Sequence, residues 1–237
     1  SLVMLIADSL HHILARGASW FRTMGSPASP GTIIATVIGD VIAPDVGEIE
    51  LGTPLRAVID AVGSGLPEGR TIKAVFSGVA NAVVTEADLD APVSYEGLAA
   101  VGSGMGSAGF IVYDDTACMV DAAYRFSRFL SIESCGQCSP CKLGSGEITQ
   151  CLQRIETGVG TDTDLEVMGG WLPRVTDASR CYLASEERIV ISSILRAFPD
   201  DVAAHLEGPC PSPRPSLPTP KITDLAEGIV TYDPRQD

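Results

Sequence analysis

This sequence is poor in positive charge. Its 16 Lys and Arg stand against 30 Asp and Glu, for a formal net charge of −14. Phosphate contacts need Lys and Arg, so the balance argues against nucleic acid as a partner, and the acidity reads first as solubility. Long apolar runs are also lacking. The run near the start, Leu2 to Ala7, is ended by Asp8, whereas about 20 apolar residues are needed to cross a bilayer. No basic leader with a small-residue cleavage site opens the chain, so the start does not read as a signal peptide. The first residue is Ser1 rather than Met, and the expectation is a chain processed or cut from something longer. No His-Glu-x-x-His and no Gly-x-Ser-x-Gly motif occurs. His11, His12 and His205 have nothing at ligand spacing around them and read as surface or packing residues.

What is there is globular. The 237 residues, 45% apolar and 19% charged, suffice for one large or two small domains. Seven cysteines are present, and three of them crowd into "ESCGQCSPCKLGSG", Glu133 to Gly146. A secreted disulfide framework would be shorter, with its cysteines paired and dispersed. A tight cluster points instead to a reducing compartment and a metal site, and the expected location is cytoplasmic, with peripheral attachment to a membrane complex left open.

Four regions follow from patterning. Residues 1–30 read as a helix and a linker, with Leu10, Ile13, Leu14 and Trp20 on one face, a break at Gly17, and "GSPASPG" as the linker. Residues 31–115 alternate strand and helix signals. "TIIATVIGDVI" is β-branched like a buried strand, and "GEIEL", "TIKAVF", "NAVVTE" and "GFIVYDD" supply further strands. Thr53 and Pro54 read as the N-cap and first residue of a helix carrying Leu55, Val58, Ile59 and Val62. Residues 116–207 read as roughly four helices, one of them with the stripe Ile148, Cys151, Leu152 and Ile155. Residues 208–237 form a tail with six prolines between Pro209 and Pro220. The fold class expected is α+β: a β-grasp-like unit followed by a helical bundle with the cysteines at one end.

Cys135, Cys138 and Cys141 lie at i, i+3 and i+6. Thiolates at such spacing bind zinc or iron–sulfur centres. Structural zinc sites commonly use two Cys-x-x-Cys pairs, whereas three cysteines in this run wrap one face of a cubane, as in bacterial ferredoxins. No further cysteine follows shortly, so a distant residue must close the site. Cys118, Cys151, Cys181 and Cys210 are candidates. Cys151 lies on an apolar stripe and Cys118 beside Met119 and Val120, both places for an inert core thiol. Cys210 sits in the proline tail. Cys181, in a loop between two helix signals, can reach back, and zinc or no metal stays as the competing reading. Gly136, Gly144 and Gly146 would let backbone N–H groups approach sulfur, and Lys142 would raise the reduction potential if it stays near.

Two other features take simpler readings. "GMGSAG" matches Gly-x-Gly-x-x-Gly but precedes a strand, so it reads as a turn. Asp114 and Asp115, and Thr116 after them, read as helix caps.

These residues resemble a known family. "ESCGQCSPCKLGSG" followed by "LQRIETG" and later "RCYLASEE" is similar to the C-terminal half of the flavoprotein, NADH-oxidising subunit of respiratory complex I, a module shared with NAD-linked hydrogenases and formate dehydrogenases. "ILARGASWFRTMG", "SPGTIIATVIGDVIAPDVGEIELGTPLRAVID" and "YEGLAAVGSGMGSAGFIVYDDTACMVDAAYRF" resemble the family's approach to, start of and exit from a soluble-ligand-binding β-grasp (SLBB-type) domain. The resemblance covers about residues 11–207. It implies that Cys135, Cys138, Cys141 and Cys181 ligate one [4Fe-4S] cluster that relays single electrons between a flavin and further iron–sulfur centres. The implied partners are a flavin-bearing domain or subunit and other iron–sulfur subunits. Departures are clear: "LVMLIAD" stands where the family has an Asn-Asn-Val-Glu-Thr run beside the flavin, Lys142 where Arg is usual, and Ala184 where Gly is usual. FMN and NAD are therefore expected only on a missing or partner domain, and no catalytic residue is assigned. A non-redox structural adaptor and a piece of a complete catalytic flavoprotein are the alternatives.

Overall fold

The computed structural model describes residues 2–214, 222–227 and 229–233. Ser1, residues 215–221 of the proline-rich tail, Gly228 and residues 234–237 lie outside the described residues. The chain divides into two compact units, Ser1–Thr116 and Ala117–Asp237.

The first unit is built on a five-stranded mixed sheet. Strands β1 (Thr32–Gly39) and β2 (Asp45–Glu50) form an antiparallel hairpin. β3 (Ile72–Ser77) pairs antiparallel with β4 (Val84–Thr85) and with β5 (Gly109–Asp114), and β5 runs parallel to β1, giving the order β2-β1-β5-β3-β4. Alternation decides which face is covered: Ile33, Ala35 and Val37 of β1 and Phe110 and Val112 of β5 are buried, while their neighbours are partly open. "TIIATVIG" is thus a strand covered on one side rather than wholly buried. Helix α3 (Leu55–Gly63) lies against β1 and β2 through Leu55, Val58, Ile59 and Val62.

Two capping expectations in this unit are corrected. Pro54 rather than Thr53 is the residue before α3, and the Thr53 hydroxyl donates to the Glu50 carbonyl at 2.8 Å. Asp114 and Asp115 do not cap a helix: Asp114 Oδ1 accepts from Thr116 N–H and O–H, and Asp115 Oδ1 accepts from Thr71 N–H, which ties strand ends together. "NAVVTE" pairs over two residues only, Val84 and Thr85.

Helix α1 (Leu2–Arg16) ends at Gly17, whose φ of 87° is the left-handed conformation glycine accepts without strain, and α2 (Ala18–Phe21) follows. Of the expected apolar face, Leu10 and Leu14 are exposed and Trp20 falls on α2. The composition-based linker is held in place, since the hydroxyls of Ser26 and Ser29 both donate to the Glu96 carboxylate of α4 (Tyr95–Ala100). The glycine run Gly104 to Gly109 is a turn entering β5.

The second unit holds five helices among the described residues: α5 (Met119–Glu133), α6 (Ser139–Glu156), α7 (Asp162–Trp171), α8 (Leu183–Ala197) and α9 (Pro199–Glu207). The fifth arises because Pro199 cannot continue α8 and instead starts a new helix at a position it favours. α6 buries its predicted stripe of Ile148, Cys151, Leu152 and Ile155. α7 opens with a capping box between Thr161 and Asp164, and Asp164 also accepts from Arg154 of α6 at 2.8 Å. Cys151, as expected, is a buried thiol, with the Arg154 guanidinium 3.3 Å from its Sγ.

A carboxyl lies in the middle of this core. Glu187 of α8 is fully buried; its Oε1 accepts from Ser127 of α5, Ser127 Oγ meets Thr149 Oγ1 of α6 at 2.8 Å, and Oε2 has no hydrogen-bond partner among the described residues. After α9, a hairpin of β6 (Ile222–Ala226) and β7 (Ile229–Tyr232) stands exposed, an element absent from the sequence expectation. Among the described residues no helix is long and apolar enough to cross a membrane.

Candidate metal centre

The cysteine run sits where α5 stops and α6 starts. Ser134 ends α5, its N–H donating to the Leu130 carbonyl at 2.9 Å. Cys135 follows in the loop, and Gly136 takes φ 79° with nothing near its missing Cβ, so it serves the tight turn that brings Cys138 round. Cys138 precedes the first residue of α6, Pro140 stands in the first turn, and Cys141 falls within that turn. The spacing thus wraps three thiols around one helix N-terminus, whose free N–H groups and positive dipole end favour thiolate and any anionic assembly of thiolates.

The fourth cysteine comes from another element. Cys181 lies just ahead of α8. Its neighbour Arg180 donates from Nη1 to Gln137 Oε1 at 3.3 Å, joining this loop to the middle of the cysteine run. Cys135 and Cys181 are exposed, Cys138 is half-buried and Cys141 is buried. Burial pushes the Cys141 thiol up; the Ser134 hydroxyl, 3.5 Å from its Sγ, pulls it back down, and the sulfurs of Cys181, Cys138 and Cys135 push it up again. Those last three contributions place Cys181, Cys138 and Cys135 each within electrostatic reach of Cys141.

Four thiols, with Cys141 buried and Cys135 and Cys181 exposed, are a donor set that either a zinc ion or an iron–sulfur cluster accepts.

Lys142 Nζ donates to the carbonyls of Ser131 and Ser134 at 2.7 and 3.3 Å, which keeps its charge at the end of α5 beside Cys141. A Cβ on Gly144 would lie 3.0 Å from the Trp171 ring and 3.1 Å from Val175, so this glycine lets α6 pack closely. Gly144→Val is expected to cost about 1–3 kcal/mol by overpacking, read as a lower urea midpoint with unchanged slope. Gly146 faces nearly open space, its nearest neighbour being Ser131 Oγ at 3.9 Å from the added Cβ. Of the two readings open for the histidines, His205 takes the packing one: it is fully buried and its Nε2 lies 3.3 Å from Cys118 Sγ. Four residues separate His205 from Cys210, a spacing that could have drawn attention to the pair.

Comparison with known proteins adds to the geometry. Residues 121–205 match the family described as the NADH-ubiquinone oxidoreductase-F iron-sulfur binding region. The chain is 36% identical over 197 residues to the NADH-quinone oxidoreductase F-type subunit 2 of Rhizobium meliloti, covering 83% of this chain and 47% of that protein. It is 35% identical over 202 residues to the HndC component of the NADP-reducing hydrogenase of Solidesulfovibrio fructosivorans, covering 84% and 41% respectively. A crystal structure of an NAD+-reducing [NiFe]-hydrogenase in the H2-reduced state superposes with a TM-score of 0.73 and 30% identity over 82% of this chain and 32% of that one. The chain therefore spans less than half the length of these relatives.

Proposed function

Since residues 121–205 belong to the NADH-ubiquinone oxidoreductase-F iron-sulfur binding region, we propose that this chain is the electron-relay part of an NAD(P)H-linked oxidoreductase complex. Cys135, Cys138, Cys141 and Cys181 hold its single [4Fe-4S] cluster. The observation that carries the assignment is the family match itself, since residues 121–205 contain all four of these cysteines. When bound, such a cluster supplies a site for one electron at a time.

The protein's own residues prepare that site. Cys141 provides the buried attachment, under Ser134, whose hydroxyl contact tunes how strongly that sulfur donates. Cys135 and Cys181 provide the exposed attachments, and the exposed side is where an electron partner can approach. The Arg180–Gln137 contact fixes the Cys181 loop, and Lys142 fixes the end of α5. Both reduce the rearrangement needed around the thiols. The flavin and the nicotinamide site belong to another domain or subunit, and the reaction on substrate occurs there. The electron leaves toward further iron–sulfur subunits, which makes the exposed face of the cysteine loop a docking face. The competing reading is a single structural zinc on these four thiols, and the family match favours the cluster.

The test is redox. The anaerobically purified chain, reduced with dithionite, is expected to give an electron paramagnetic resonance signal from one centre, integrating to about one spin per chain. A chain that takes up no electron overturns the relay.

A further inference from the structure

A second set of soft ligands lies in the helical unit, apart from the run at Cys135–Cys141. Cys118 precedes α5, where its Sγ accepts from the Asp121 N–H at 3.3 Å. His205 lies on α9, and Cys210 follows the end of that helix. Their ligand atoms, two sulfurs and one ring nitrogen, are all within 4.8 Å of one another. Cys118 and His205 are buried, at 5% and 1% exposure, and Cys210 is half-buried.

The imidazole is prepared for a metal. His205 Nδ1 lies 2.6 Å from the Asp201 carbonyl, an acceptor only, so Nδ1 carries the proton and donates it. Nε2 is left with its lone pair facing Cys118 Sγ at 3.3 Å. This outer hydrogen bond is the kind that orients a metal-binding histidine and strengthens its donation. The backbone is held as well: Asp201 Oδ2 accepts from the Met119 N–H at 2.9 Å, joining the starts of α9 and α5. A tetrahedral zinc places its sulfur and nitrogen ligands roughly 3.5 Å apart, so little movement is needed.

The Asp121 N–H and the N-terminus of α5 favour a thiolate at Cys118, the form a metal requires.

We propose that Cys118, His205 and Cys210 bind one zinc ion through two thiolates and the His205 Nε2, with water in the fourth position. Binding releases the two thiol protons to solvent, and no electron is transferred. The neighbouring carboxylate Asp121 is not the fourth ligand, because both its oxygens accept from Arg125 Nε at 2.8 Å. The site fastens the chain after α9 to the start of α5. Two thiolates with one imidazole select zinc over magnesium or calcium, which prefer oxygen ligands.

The test reads zinc and iron on the same sample of the full chain, purified without chelators. About one zinc per chain is expected beside the iron. Cys210→Ser and His205→Ala should each lower zinc more than tenfold with iron unchanged, and Cys151→Ala should leave zinc in place. A measurement on the unaltered chain guards against variants that fail to fold: after zinc removal, cobalt(II) should give thiolate-to-cobalt absorption in the near ultraviolet and visible bands of a tetrahedral ion. Absence of those bands overturns the proposal. So does zinc lost with Cys138→Ser rather than with Cys210→Ser, or a Cys118–Cys210 disulfide in the freshly isolated chain. Zinc present with no iron would leave this site standing while overturning the relay.

Discussion

Replacing Cys181 with Ser is expected to strip the chain of most of its iron or leave it with a cluster short of one iron, while replacing Cys151 with Ala leaves iron content unchanged. Both thiols lie in the same helical unit and both are far from the Cys135–Cys141 run in sequence. Their surroundings differ. Cys181 is exposed and is one of the sulfurs that raise the Cys141 thiol. Cys151 is fully buried among apolar residues on α6, with Arg154 as its polar neighbour. A serine at position 181 offers a harder, more basic oxygen that binds iron less well at neutral pH. Iron analysis of the two variants beside the parent chain, purified without oxygen, checks the result. Equal iron in Cys181→Ser and the parent would remove Cys181 from the ligand set. Loss of iron in Cys151→Ala would put Cys151 in it.

The second large effect concerns stability and pH. Burial pushes the Glu187 carboxyl up to about 8, with the Ser127 hydroxyl only partly opposing it. The folded chain therefore holds a proton there that the unfolded chain releases at its ordinary carboxylate value. Between those two values the folded state binds more protons, so stability falls as pH rises through the window from about 4.5 to about 8. The loss over the window is up to about 5 kcal/mol. Glu187→Gln keeps the shape and the acceptor for Ser127 but cannot ionise. It should match the parent near pH 4.5 and exceed it at pH 8, with the difference growing steadily in between. Urea unfolding followed by the helical circular dichroism signal at several pH values measures this. A difference that does not vary with pH would mean that Glu187 is ionised in the folded chain.

Much of this was readable in the residues, for identifiable reasons. The i, i+3, i+6 run of Cys135, Cys138 and Cys141 is local, and a helix N-terminus after a glycine turn is a local structure. The stripe of α6 and the alternation of β1 likewise repeat within a few residues. What could not be read were meetings between distant segments. Spacing made Cys181 only one candidate among four, and the Arg180–Gln137 bond that joins its loop to the cysteine run is a meeting of distant segments. His205 and Cys118 looked like ordinary helix residues because their meeting depends on α9 turning back after Pro199. Period also says which face of a helix is apolar but not what covers it, and so Leu10 and Leu14 of α1 stand exposed. The packing use of Gly144 was hidden for a related reason, since the close approach of Trp171 and Val175 is a meeting of α6 with the chain of α7 and beyond. The exposed hairpin of β6 and β7 lay hidden behind the composition of the prolines before it.

Iron and acid-labile sulfide, measured together on the chain purified without oxygen, bear most directly on the electron-relay reading. About four irons and four sulfides per chain, lost together in Cys138→Ser, is the expected result. Zinc held by Cys135, Cys138, Cys141 and Cys181 with no sulfide would contradict it, because those four thiols would then be a structural fastening with no electron to pass.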